Sequence, residues 1–100
     1  MLTKESRIEN KKYIRWVSSL PCINCGTEDG TVVAHHLKGC YTPLSGGAGR
    51  KANDFFTMPL CFRCHDRLHR GDDDLRETQP YRIMQTIDRA FREGEIKFKE

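Results

Sequence analysis

A chain of 100 residues has room for one domain and buries only a modest core, so something beyond apolar packing must help it fold. Its 37% hydrophobic and 31% charged residues argue against a disordered tail, and no run approaches the roughly 20 apolar residues that span a bilayer. The formal net charge of +3 is compatible with nucleic acid without pointing to it.

The opening Met1–Asn10 is polar and charged, with no apolar signal segment, so a cytoplasmic protein without a membrane partner is expected. Tyr13, Trp16, Val17 and Leu20 then recur at helical spacing and predict a helix over about 4–20, stopped by Pro21. Lys4, Arg7, Lys11, Lys12 and Arg15 run along the same segment, giving it a basic side that is either an ordinary solvated face or a surface for phosphates. After the turn-like Glu28-Asp29-Gly30, Thr31-Val32-Val33-Ala34 is a β-prone run leading into His35 and His36, which places the histidines at a strand end.

The glycine-rich stretch from Gly39 to Ala52 predicts a long loop carrying Arg50 and Lys51. It does not match a GxxxxGK[ST] nucleotide loop; it is either a plainly flexible loop or one whose backbone amides and two cations meet a DNA phosphate. Phe55 to Leu60 predicts a second strand, and Cys61 to Arg70 a short helix ended by Gly71. Thr78 as N-cap, Pro80 in the first turn, and Ile83, Met84, Ile87, Ala90 and Phe91 on one apolar face predict a last helix over about 79–93. Ile96 and Phe98 alternate with charged residues and read as a short strand or a frayed tail.

Five cysteines are many for this length, and an odd count with two Cys-x-x-Cys pairs argues for metal rather than disulfides. The pairs are Cys22-Ile23-Asn24-Cys25 and Cys61-Phe62-Arg63-Cys64. Each spacing turns two sulfurs onto one tetrahedral ion, so together they predict a closed structural zinc site that holds the fold and does no chemistry. A thioredoxin-like redox pair would not need a second matching pair. Cys40 stands outside both and is given no role.

All four histidines fall in two clusters, His35-His36 and His65-Asp66-Arg67-Leu68-His69. His65 and His69, four apart on the predicted helix, project from one face at a spacing that suits two ligands of one ion. His65 directly follows Cys64, so the zinc knuckle also aims that helix. Adjacent strand residues point to opposite faces, so the His35-His36 pair divides naturally into one ligand and one general base. Asp54 is placed to ligate the ion, directly or through water, or to orient the base.

With these residues in place the chain resembles the HNH, or ββα-metal, endonucleases, most closely the small phage and prophage members of the Ref (recombination-enhancement) type. The resemblance covers about Trp16 to His69. It is carried by Ser19-Leu20-Pro21-Cys22-Ile23-Asn24-Cys25-Gly26, by Ala34-His35-His36-Leu37, by Gly46-Gly47-Ala48-Gly49-Arg50-Lys51-Ala52-Asn53-Asp54, and by Pro59-Leu60-Cys61-Phe62-Arg63-Cys64-His65. It implies His36 as general base, and His35, His65 and His69 as ligands of one catalytic divalent cation. Two departures stand out: Ala34 occupies the position before the histidine pair where an acidic residue is usual, and Asn53 and Asp54 both compete for the middle asparagine.

The expected architecture is therefore α+β: a small zinc-stabilised ββα-metal core over about 16–71, with flanking N- and C-terminal helices, in a single domain spanning 1–100. The expected function is metal-dependent hydrolysis of DNA phosphodiester bonds in a bacterial cell, phage or prophage encoded, in recombination or DNA processing. The catalytic residues would be His36, His35 and Asp54, and the DNA contacts Arg50, Lys51, Lys11, Lys12 and Arg15. Imidazole ligands leave the catalytic ion open among Mg²⁺, Mn²⁺, Ni²⁺ and Zn²⁺. Two helices on so small a core also allow a homodimer. The alternative is a non-catalytic zinc module that binds DNA or a recombination partner. A zinc deaminase fits poorly, because no Glu follows either histidine in a His-x-Glu pattern.

Overall fold

Asn10 decides where the first helix begins: its side chain accepts a hydrogen bond from the Tyr13 amide, so α1 runs Lys11–Ser18 and residues 8–10 approach it in extended or irregular backbone. The predicted start near residue 4 is therefore too early as far as residue 8; the computed structural model describes residues 8–39, 41, 44–45 and 51–97, and Lys4, Arg7, Cys40, Arg50, Phe98 and Lys99 lie outside that set. The remaining elements are β1 (Val33–His36), β2 (Thr57–Leu60), α2 (Phe62–His69), α3 (Asp73–Glu77) and α4 (Gln79–Arg92), an α+β order with a two-stranded sheet.

The strands pair antiparallel with Val33 opposite Leu60, Ala34 opposite Pro59, His35 opposite Met58 and His36 opposite Thr57. All four residues of β2 are buried, whereas β1 alternates, with His35 its one fully buried residue. That pattern follows from what covers each face. Met58 and Leu60 belong to one apolar cluster with Cys22, Cys61, Cys64, Leu68, Leu75 and Ile83. Ala34 packs into a second cluster on Tyr13, Val17 and Ala90, where α1 meets α4. Pro59 lacks an amide to donate, but its carbonyl accepts from the Ile23 amide at 2.9 Å, tying the Cys22–Cys25 segment to the outer edge of β2.

Helix α2 ends where the sequence predicts: the amide of Gly71, at φ +98°, returns to the Leu68 carbonyl. Helix α3 was not anticipated. Five residues are too few to display an apolar period, but Asp72 is a capping residue whose side chain accepts from the Leu75 amide, and Leu75 is 1% exposed. Thr78 precedes α4 as expected, yet its hydroxyl does not cap the helix; it donates back to the Asp74 carbonyl at 2.6 Å.

The buried face of α4 differs from the expected apolar stripe. Ile83 and Ala90 point inward with Gln79 and Thr86, while Met84 and Phe91 are 66% and 41% exposed. The two polar residues tolerate burial because their hydrogen bonds are made: Thr86 Oγ1 donates to the Arg82 carbonyl, and Gln79 has partners at His35, Lys38 and Arg76. No terminal strand forms within residues 95–97, where Ile96 folds back against the α1 cluster.

Tyr13 carries the one buried side-chain polar atom without a partner among the described residues, its hydroxyl, and burial pushes its pKa up to about 12. An unpaired buried hydroxyl costs about 1–3 kcal/mol. Tyr13→Phe is therefore expected to leave stability unchanged or raise it in urea unfolding, and a loss above about 1 kcal/mol would mean that the hydroxyl is paired.

Candidate metal centre and histidine cluster

The two Cys-x-x-Cys segments, far apart in the chain, meet in space. Cys22, Cys25, Cys61 and Cys64 bring their sulfurs within 4.8 Å of one another, with all but Cys25 buried. Two sulfurs on a tetrahedral ion with bonds of about 2.3 Å lie about 3.8 Å apart. Cys25 Sγ and Cys61 Sγ are 3.7 Å apart, so the cluster fits one structural metal ion, and four thiolates form a donor set that suits zinc.

The backbone builds this site from both sides. The first segment is a closed turn in which the Gly26 amide donates to the Cys22 carbonyl at 2.8 Å and the Cys22 amide to the Thr27 carbonyl at 3.0 Å, with Gly26 at φ +77°. In the second, Cys61 occupies the N-cap of α2, and the His65 amide donates to its carbonyl at 2.9 Å. Asn24 Nδ2 donates to Cys64 Sγ at 3.3 Å. Burial and the neighbouring thiols push the Cys64 thiol up to about 12, whereas at Cys22 backbone hydrogen bonds from Cys61, Cys25 and Asn24 outweigh burial and hold it down at about 7. Four crowded thiols without a cation resist ionising together, and a bound divalent ion removes that penalty.

The second cluster comprises His35 from β1 with His65 and His69 from α2, each offering a ring nitrogen within 4.8 Å of the others. His65 Nε2 and His69 Nε2 are 3.3 Å apart, close to the roughly 3.4 Å expected of two nitrogens on one tetrahedral ion. The rings of His35 and His65 meet edge to face at 5.1 Å. Burial is the main reason that His35 is lowered to about 4, with His65, His69 and Lys38 adding like charge, and burial also lowers His65. Neutral imidazoles are the form that binds a cation, and the lowering at His35 and His65 favours that form near neutrality.

Strand alternation sends His36 the other way, as expected for adjacent residues. Its Nε2 lies 2.8 Å from Asp54 Oδ1, and the side chains are only 12% and 7% exposed. Asp54 thus pairs with His36, and among the described residues the histidines grouped closely enough to hold one ion are His35, His65 and His69. The other carboxylate oxygen of Asp54 accepts from the Asn10 amide at 2.7 Å, which sets the start of α1 beside the pair. Lys11, Lys12 and Arg15 are exposed on that helix, and Lys51 is exposed three residues before Asp54.

Gln79 was missed in the sequence, and no local signal marks it. It is 2% exposed and stands 3.0 Å from His35 Nε2 across a separation of 44 residues.

Two measurements follow. Stripping metal from the cysteine cluster, or replacing Cys64 with Ser, is expected to abolish one tightly held metal per chain and the cooperative thermal transition together, as read by elemental analysis and circular dichroism. A metal-free chain that melts as before would contradict the structural role. For His35, imidazole titration by NMR is expected to find the ring neutral at pH 5. The unfolded chain takes a proton near pH 6.5 that the folded chain refuses until about 4, so His35 makes stability fall as pH falls through that window. A His35 midpoint at 6 or above would contradict this.

Among the described residues no helix is long and apolar enough to cross a membrane. No solved structure matches the chain. It is 38% identical over 96 residues to the Uncharacterized protein YdfU of Escherichia coli (strain K12), an alignment covering 93% of this chain and 26% of that protein. The chain thus spans about a quarter of the length of this curated relative. Residues 1–94 match the family described as Protein of unknown function (DUF968), and the chain belongs to that family.

Proposed function

We propose that this chain is a metal-dependent endonuclease of the HNH type that hydrolyses DNA phosphodiester bonds. The observation that carries the reading is the division of adjacent histidines: His35 joins His65 and His69 in a cluster fit for a cation, while His36 pairs with a buried carboxylate. Hydrolysis of a phosphodiester needs a cation at the phosphate and a base for the water, held by different groups. Strand alternation at two consecutive residues supplies that separation.

His36 is the general base. Asp54 Oδ1 holds its Nε2–H, which leaves Nδ1 with the lone pair that takes a proton from water as the new P–O bond forms and the bond to the leaving oxygen breaks. Asp54 keeps the ring in this tautomer and stabilises the imidazolium that results. When bound to His35, His65 and His69, a divalent cation such as Mg²⁺, Mn²⁺, Ni²⁺ or Zn²⁺ supplies charge for the phosphate and the leaving oxygen. Lys11, Lys12 and Arg15 on α1, with Lys51, are the exposed cations that would lie along the DNA backbone, and the Asn10–Asp54 hydrogen bond sets the α1 group next to the base. Arg50, expected to join them, lies outside the described residues.

The test is plasmid nicking with EDTA, Mg²⁺, Mn²⁺ or Ni²⁺. Metal-dependent cutting is expected, and His36→Ala should lose about 10²- to 10⁴-fold of it while keeping the wild-type fold. Full activity in that variant would remove His36 as the base. No nicking by folded wild type, with salt-sensitive DNA binding retained, would mean a non-catalytic zinc module instead.

A further inference from the structure

We propose that Gln79 is a positioning residue for the histidine cluster, fixing His35 as its Nε2–H tautomer so that Nδ1 is the nitrogen offered to a cation. The inference rests on reading the cluster as a cation site and adds a residue from α4, outside the hairpin and helix that carry the ligands.

The amide orientation of Gln79 follows from its partners. Its Nε2 donates to two carbonyls, Lys38 and Arg76, each at 3.0 Å. The remaining amide atom is therefore the oxygen, and it already accepts from the Lys38 amide at 3.1 Å. That oxygen is 3.0 Å from His35 Nε2, and since an amide oxygen only accepts, Nε2 must carry the hydrogen. A neutral imidazole with Nε2 protonated has its single lone pair on Nδ1.

All four hydrogen bonds of Gln79 are made while the residue is 2% exposed, so flipping the amide would face its NH₂ group with the Lys38 amide and two carbonyls with an oxygen. The amide cannot turn cheaply, and neither can the ring it holds. The same side chain grips both backbone groups of Lys38, three residues past His35, so the exit of β1 and the first turn of α4 are locked as one unit. Partners of this kind, which orient a ligand's second nitrogen, are typically worth about 10- to 100-fold in metal affinity.

The test uses the full chain with zinc in its cysteine site and Ni²⁺ as the probe. Long-range ¹H–¹⁵N NMR of the protein without added Ni²⁺ is expected to find His35 protonated at Nε2. Calorimetric titration should find one Ni²⁺ site that His65→Ala abolishes and Gln79→Leu weakens about 10- to 100-fold. Gln79→Glu, which keeps an accepting oxygen but cannot donate to the carbonyls, should retain the Nε2–H tautomer and bind Ni²⁺ more tightly than Gln79→Leu. A residue that merely braced the fold would affect both variants alike. Wild-type His35 protonated at Nδ1, or wild-type Ni²⁺ affinity in folded Gln79→Leu, overturns the role of Gln79 and leaves the cation site standing. Failure of the wild type to bind Ni²⁺ at the histidines overturns both.

Discussion

The convergence of four cysteine sulfurs is the constraint on which the rest of the molecule depends. Cys22 and Cys25 sit in a tight turn against the edge of β2, and Cys61 and Cys64 straddle the start of α2, so one ion bound there joins the two halves of the chain at the point where strand becomes helix. A core with fourteen buried apolar residues among the described ones supplies little surplus stability, which makes the cross-link thermodynamically important. It also has a directional consequence. His65 is the residue after Cys64 and His69 lies one turn further on, so whatever fixes the knuckle fixes where both imidazoles point.

Around that anchor, each part of the histidine arrangement is held by a different element. Alternation along β1 separates His35 from His36, sending one to α2 and the other to Asp54. Helix α1 closes over Asp54 through the Asn10 amide, and α4 reaches back to His35 through Gln79. The helices flanking the hairpin therefore do more than cover apolar surface: the Asn10 cap of α1 donates to the carboxylate that pairs with His36, and Gln79 of α4 bonds His35 directly.

Much of this was legible in the sequence because it rests on local spacing. The two Cys-x-x-Cys pairs, the i, i+4 histidines and the adjacent histidines on a β-prone run each carry their geometry in their own few residues. What escaped depends on longer range or on competition. Gln79 is an isolated glutamine at a helix start, and only the fold brings it to His35, 44 residues away. The inward face of α4 contains Gln79 and Thr86 in place of Met84 and Phe91, because satisfied polar side chains can displace apolar ones from a buried stripe. The start of α1 was misjudged because basic residues continue past the Asn10 cap, and α3 because five residues show no period. For Asp54, spacing alone left its partner open, and only the fold brings it to His36, 18 residues away.

The central proposal is that the chain carries two chemically distinct metal sites, one formed by four cysteines that shapes the fold and one formed by His35, His65 and His69. X-ray absorption at the zinc and nickel edges of one sample loaded with both ions tests it most directly. Zinc surrounded by four sulfurs at about 2.3 Å, with nickel surrounded by nitrogen and oxygen alone, is the expected result. Sulfur around nickel, or a zinc site without four sulfurs, would contradict the separation of the two.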